Sequence, residues 1–203
     1  MPESIERTPL AEDETAGATA LVVIDMLSNW DFPDGAALLQ QAVAIAPRIV
    51  ALKARCRRAG VAVVYANDNR GRWRSDLRQV VAAAIEVGGD AAGIADQLAP
   101  QPEDYFVLKP KHSAFHETPL DLLLRHLKAE RLILVGVTSD QCVLYTAADA
   151  RMHDYEVVVP RDCTATLSRE RNERALQHLT EVLNAATPRS ADVALPGTPR
   201  DEA

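Results

Sequence analysis

Short apolar runs alternate with helical patterns along this chain. Thr19 to Ile24 (TALVVI) is apolar, rich in β-branched residues, and ends at Asp25. Val61 to Ala66, Tyr105 to Leu108, Leu132 to Val135 and Tyr155 to Val159 repeat the type. Runs this short and this continuous predict strands buried on both faces. Between them, apolar residues recur every three or four positions. Ile45, Ile49, Leu52 and Cys56 mark a helix over residues 36–58, with Pro47 predicting a break or a fresh start near Ala46. Helices are also predicted over 77–87 and near 91–98, from Cys142 onward, and over 168–186 on Ala175, Leu179, Val182 and Ala186. Thr118-Pro119-Leu120-Asp121 opens another, to about Ala129, with a capping threonine, a proline at the first helical position and an acid in the first turn. Val193 to Leu195 predicts a short edge strand.

Strands alternating with helices imply a three-layer α/β/α, Rossmann-type architecture: a mostly parallel sheet of five or six strands covered on both faces. Residues 1–18 are acidic and aperiodic and predict a mobile arm. Residues 19–195 form one predicted domain, and 196–203 a disordered tail. The apolar fraction of 47% suits a sizeable core. No apolar run is expected to span a bilayer, and the acidic N-terminus lacks the order of a signal peptide, so a cytoplasmic protein is expected. A net charge of −7 argues against nucleic acid or an anionic membrane surface as partner. Three widely spaced cysteines make neither a disulfide framework nor a zinc site.

Ligands of such sheets bind beyond the carboxyl ends of the strands. Asp25, Lys109 and Cys142 all stand at such ends, and right-handed crossovers put them on one rim. Each alone has an ordinary explanation: a cap, a solvated strand end, a packed thiol. Together they make chemical sense. A cysteine at a helix N-terminus, beside an ammonium, is expected to have a lowered pKa and to act as nucleophile. Asp25 would take its proton, return it to a departing amine and activate water, while Lys109 offsets the negative charges. Trp30, Trp73 and Phe115 fall in rim loops and suggest an apolar wall for a small planar or cyclic substrate, although packing a loop or a subunit contact explains each singly. Asn69 suits a substrate amide, and Arg70 or Arg72 a carboxylate. Cys56 lies on a core stripe; for Cys163 packing is favoured over a redox pairing with Cys142.

Three blocks, Ala20 to Asp25, Lys109-Pro110-Lys111-His112-Ser113-Ala114-Phe115, and Gly136-Val137-Thr138-Ser139-Asp140-Gln141-Cys142-Val143 with Thr146-Ala147 beyond, resemble in order and content the isochorismatase-like cysteine hydrolases. That family includes nicotinamidases and N-carbamoylsarcosine amidohydrolase, and the resemblance covers roughly Thr19 to Thr166. It implies a catalytic triad of Asp25, Lys109 and Cys142. It also implies a cis peptide between Val137 and Thr138 that aims the Thr138 and Cys142 N–H groups at an oxyanion, and a homo-oligomer, dimer or tetramer. Two departures matter. The loop from Asn67 to Trp73 has no histidine, so no metal site of the nicotinamidase kind is expected and no cofactor is implied. Met26-Leu27-Ser28-Asn29-Trp30 replaces the Gln or Asn that family members often carry after the aspartate. The expected activity is hydrolysis of a carbon–nitrogen bond in a small amide or carbamoyl compound through a thioester. The rivals are isochorismate-type vinyl-ether hydrolysis, with Cys142 a bystander, and a non-catalytic binding protein on the same fold.

Overall fold

The computed structural model describes residues 19–68 and 76–196. The predicted arm, most of the tail and the loop positions Asn69, Arg70, Arg72 and Trp73 lie outside the described residues. Strands β1 (Thr19–Ile24), β2 (Ala62–Asp68), β3 (Tyr105–Lys109), β4 (Arg131–Val137), β5 (Glu156–Val158) and β6 (Thr164–Ala165) form one sheet. The order is β3-β2-β1-β4-β5, with β6 pairing the carboxyl end of β4, and every pairing is parallel. Helices α1 (Gly35–Arg58), α2 (Leu77–Val87), α3 (Gly89–Gln97), α4 (Leu120–His126), α5 (Leu144–Met152) and α6 (Arg169–Glu181) join them.

Alternation along the strands builds a core on each face, as the period of two requires. Leu21, Val23, Val63, Tyr65, Ile133 and Val135 meet α1, α2 and α3. Their neighbours Ala20, Val22, Ile24, Val64, Leu132 and Leu134 meet α4, α5 and α6. This is the three-layer parallel sheet that the sequence pattern predicts.

Several elements differ from the sequence reading. α1 runs unbroken through Pro47. Pro47 and Val43, the residue whose carbonyl a proline leaves without its N–H partner, are both exposed. At 24 residues, α1 is also apolar and long enough to match a membrane span by length and composition, which corrects the expectation that no run is. Its stripe of Leu38, Ala42, Ile45, Ile49, Leu52 and Cys56 is buried against the sheet. α4 ends at His126 because Lys128 turns left-handed, with φ 53°. α6 ends at Glu181; beyond it Asn184 also turns left-handed, and Ala186 bridges to Val158. Residues 193–195 form no strand: Arg55 and Arg131 donate to the carbonyls of Val193 (2.8 Å) and Ala194 (2.7 Å), where a strand would need backbone partners.

Candidate active site

The site sits on the carboxyl rim, where β1, β3 and β4 end. Ile24 is paired with Gly136 across β1 and β4. A Cβ on Gly136 would lie 2.0 Å from the Ile24 carbonyl oxygen, and its φ is 114°, so only glycine permits this close approach. The chain leaves β1 at Asp25 with φ 52°. Its carboxylate is then anchored by Oδ1, which accepts the Asp68 N–H at 2.7 Å.

Lys109, the last residue of β3, is fully buried. Its Nζ lies 2.8 Å from Asp25 Oδ2 and 3.5 Å from Cys142 Sγ, and donates to the Lys111 carbonyl at 3.2 Å. The structure thus brings all three residues into contact. Burial works against the Lys109 ammonium, but Asp25, with help from the sulfur and Asp68, outweighs it and holds the amine above the ordinary lysine range.

After β4 the Val137–Thr138 peptide is cis, and a π-helical turn, Ser139–Val143, leads directly into α5. The helical backbone therefore opens before Cys142, which is only 8% exposed. This reverses one expectation. The Cys142 thiol is pushed up to about 12, first by burial and then by the Asp25 carboxylate. Lys109 and a hydrogen bond from the Thr138 N–H pull the other way without prevailing. The sulfur therefore rests as a thiol at neutral pH. The turn is pinned from both sides. Thr146 Oγ1 donates to the Cys142 carbonyl (2.6 Å) and accepts from the Ala114 N–H (3.0 Å), tying it to the loop after Lys109. Asp140 accepts from Thr166 Oγ1 (2.6 Å) and from Nε and Nη2 of Arg171 (2.8 and 2.5 Å).

Asp25 and Cys142 line a cleft of about 430 Å³, with Thr138, Trp30, Asn67 and His112 among its walls. Trp30 is on the cleft wall yet 6% exposed, and Gly35 packs against its carbonyl, where a Cβ would come within 1.9 Å. Phe115 is not among the described residues of the cleft wall: half-buried, it stacks on His153 with ring centroids 5.2 Å apart and packs against the core that includes Leu120, Leu124 and Ala147. Asn69 and Trp73 lie outside the described residues. Asn67 is a lining residue the sequence did not single out; its Nδ2 donates to the Leu27 carbonyl at 2.7 Å. His112 is another. Its Nδ1 lies 3.7 Å from Cys142 Sγ, and the only sequence signal for it is its place three residues after Lys109. Cys56 and Cys163 are free, fully buried thiols, each pushed up to about 12 by burial, in keeping with packing.

Residues 19–192 match the family model for the isochorismatase domain. The chain is 38% identical to the isochorismatase family protein YaaI of Bacillus subtilis (strain 168), over 82% of this chain and 91% of that protein. Among solved structures it resembles the nicotinamidase of Staphylococcus aureus, at TM-score 0.64 and 27% identity over 84% of this chain and 96% of that one. It likewise resembles the N-carbamoylsarcosine amidase of Thermoplasma acidophilum, at TM-score 0.65 and 25% identity over 86% of this chain and 98% of that one. A match that spans the whole sheet and carries Asp25, Lys109 and Cys142 within it makes this chain a member of the isochorismatase family of hydrolases.

Proposed function

We propose that the chain is a cysteine hydrolase that opens the carbon–nitrogen bond of a small amide or carbamoyl compound through an acyl-Cys142 thioester. One observation carries the reading. The Lys109 ammonium touches both the Asp25 carboxylate and the Cys142 sulfur on the wall of a cleft sized for a small molecule. Asp25 takes the thiol proton as sulfur bonds to the carbonyl carbon. The Thr138 and Cys142 N–H groups hold the developing oxyanion. Asp25 then protonates the departing nitrogen, the C–N bond breaks, and water later releases the acid. Lys109 keeps the carboxylate and the forming thiolate from repelling one another. Two of its structural neighbours are named as a nicotinamidase and an N-carbamoylsarcosine amidase, which supports this reaction class.

The test is a panel of amides and carbamoyl compounds read by ammonia release, with mass spectrometry for an adduct on Cys142. A hit should acylate Cys142, and Cys142→Ala should lower turnover at least ~10³-fold with the melting temperature nearly unchanged. Turnover that survives in Cys142→Ala would replace the thioester route by acid catalysis from Asp25, as a vinyl-ether hydrolase requires.

A further inference from the structure

The Cys142 sulfur has neighbours of two kinds. One is the charged pair of Lys109, fully buried, and the anchored Asp25 carboxylate, which also lines the cleft. The other neighbour is His112, an exposed residue of the cleft wall, with Nδ1 3.7 Å from Sγ. Its ring is held by stacking on Tyr145, centroids 5.7 Å apart and planes inclined by 23°. Asp25, held by the Asp68 N–H through Oδ1 and by Lys109 through Oδ2, also bonds the sulfur and is assigned above to the thiol proton and the departing nitrogen. Hydrolytic water must come from the open cleft, and the histidine is the titratable ring that stands there beside the sulfur.

Resting on the cysteine-hydrolase reading above, we propose that His112 is a further catalytic residue, assigned to deacylation: it activates the water that cleaves the acyl-Cys142 thioester and returns a proton to the sulfur. With the ring proton on Nε2, Nδ1 presents a lone pair. It takes a proton from water as the water oxygen bonds to the thioester carbonyl carbon. The tetrahedral adduct collapses by breaking the C–S bond. The Nδ1–H of the imidazolium then protonates the departing sulfur, leaving thiol, neutral imidazole and free acid. Water is the sole co-reactant. The burial that favours thiol over thiolate at Cys142 makes an acid at the leaving sulfur useful. Asp25 serves acylation and His112 serves release.

The experiment uses p-nitrophenyl acetate as a reporter ester, because nitrophenolate departs without an acid and acylation is then read separately from deacylation. Wild type, His112→Phe (which keeps a ring against Tyr145), His112→Gln and Cys142→Ala are compared. Wild type should release a burst of nitrophenolate and then turn over steadily. In both His112 variants the burst rate should stay within ~2-fold while steady-state release falls ~10²-fold, within the range for a lost general acid–base. Acetyl-Cys142 should accumulate in their mass spectra. An unchanged steady state without adduct would overturn the proposal, as would a burst slowed in step with the steady state, which would make His112 an acylation or cleft-shaping residue. No burst in wild type, with equal ester hydrolysis in Cys142→Ala, would remove the thioester reading and this inference with it. A burst and adduct in wild type keep that reading whatever His112 does.

Discussion

Replacing Asp25 by asparagine should make Cys142 more reactive towards alkylation while abolishing turnover. The thiol is held at about 12, so at pH 8 only ~1 sulfur in 10⁴ is thiolate. Lys109 Nζ touches Oδ2 of Asp25 at 2.8 Å and Sγ at 3.5 Å, which puts carboxylate and sulfur no more than ~6 Å apart. At an effective dielectric of ~20, two like charges at ~6 Å repel by about 3 kcal/mol, or ~100-fold in thiolate population. Asparagine keeps the shape and removes the charge, leaving Lys109 to favour thiolate unopposed. Burial, the larger cause, persists, so the gain stops well short of a free thiol. Alkylation by iodoacetamide at pH 8, followed peptide by peptide, should therefore accelerate 30- to 100-fold at Cys142 (about 2–3 kcal/mol). The fully buried Cys56 and Cys163 are internal references that should not change. Lys109→Met should move Cys142 labelling the opposite way. Unchanged labelling in Asp25→Asn would refute the electrostatic account, and faster labelling with turnover intact would remove Asp25 as the base.

Two further outcomes test how the rim is built. Gly136→Ala places a methyl 2.0 Å from the Ile24 carbonyl oxygen at φ 114°, so it should cost at least ~3 kcal/mol in thermal or denaturant unfolding; a loss under ~1 kcal/mol would contradict the close β1–β4 approach. Burial pushes the Asp140 carboxyl up, but hydrogen bonds from Thr166 and Arg171 and the Arg171 charge win and hold it below its ordinary value of 3.8. Because the folded-state pKa is the depressed one, this stabilisation is complete above the unfolded value and is lost as pH falls through the folded one. Arg171→Ala should therefore destabilise at pH 7 and flatten the stability curve below pH ~4; acid unfolding curves that run parallel for the two proteins would refute the linkage.

How much of this was legible in the sequence depends on whether periodicity or topology carries the signal. β1 and α2 have their predicted bounds, Thr19–Ile24 and Leu77–Val87, because apolar spacing alone defines them. Asp25, Lys109 and Cys142 were found by a topological rule, since residues at the carboxyl ends of parallel strands share a rim however far apart they lie in the chain. Pro47 predicts a break because it removes one helical hydrogen bond, yet it lies on the exposed side of a 24-residue helix whose opposite stripe is buried against the sheet. β6, two residues long, is too short for any period, and 193–195 has a strand's composition but gives its carbonyls to arginine side chains. Phe115, half-buried, packs against the core and stacks on His153, while His112, three residues earlier, comes within 3.7 Å of the sulfur; neither placement follows from a period in the sequence. The Cys142 proton affinity was misread for a related reason. Charged neighbours can be guessed from sequence, but exclusion of water is a property of packing, and at 8% exposure that exclusion outweighs the lysine. A thiol that stays protonated at rest is protected from adventitious alkylation and oxidation, which act on thiolate. In the proposed reaction, its dependence on Asp25 would tie nucleophile formation to a carboxylate that hands the same proton to the departing nitrogen, so that activation and leaving-group protonation would be two halves of one transfer.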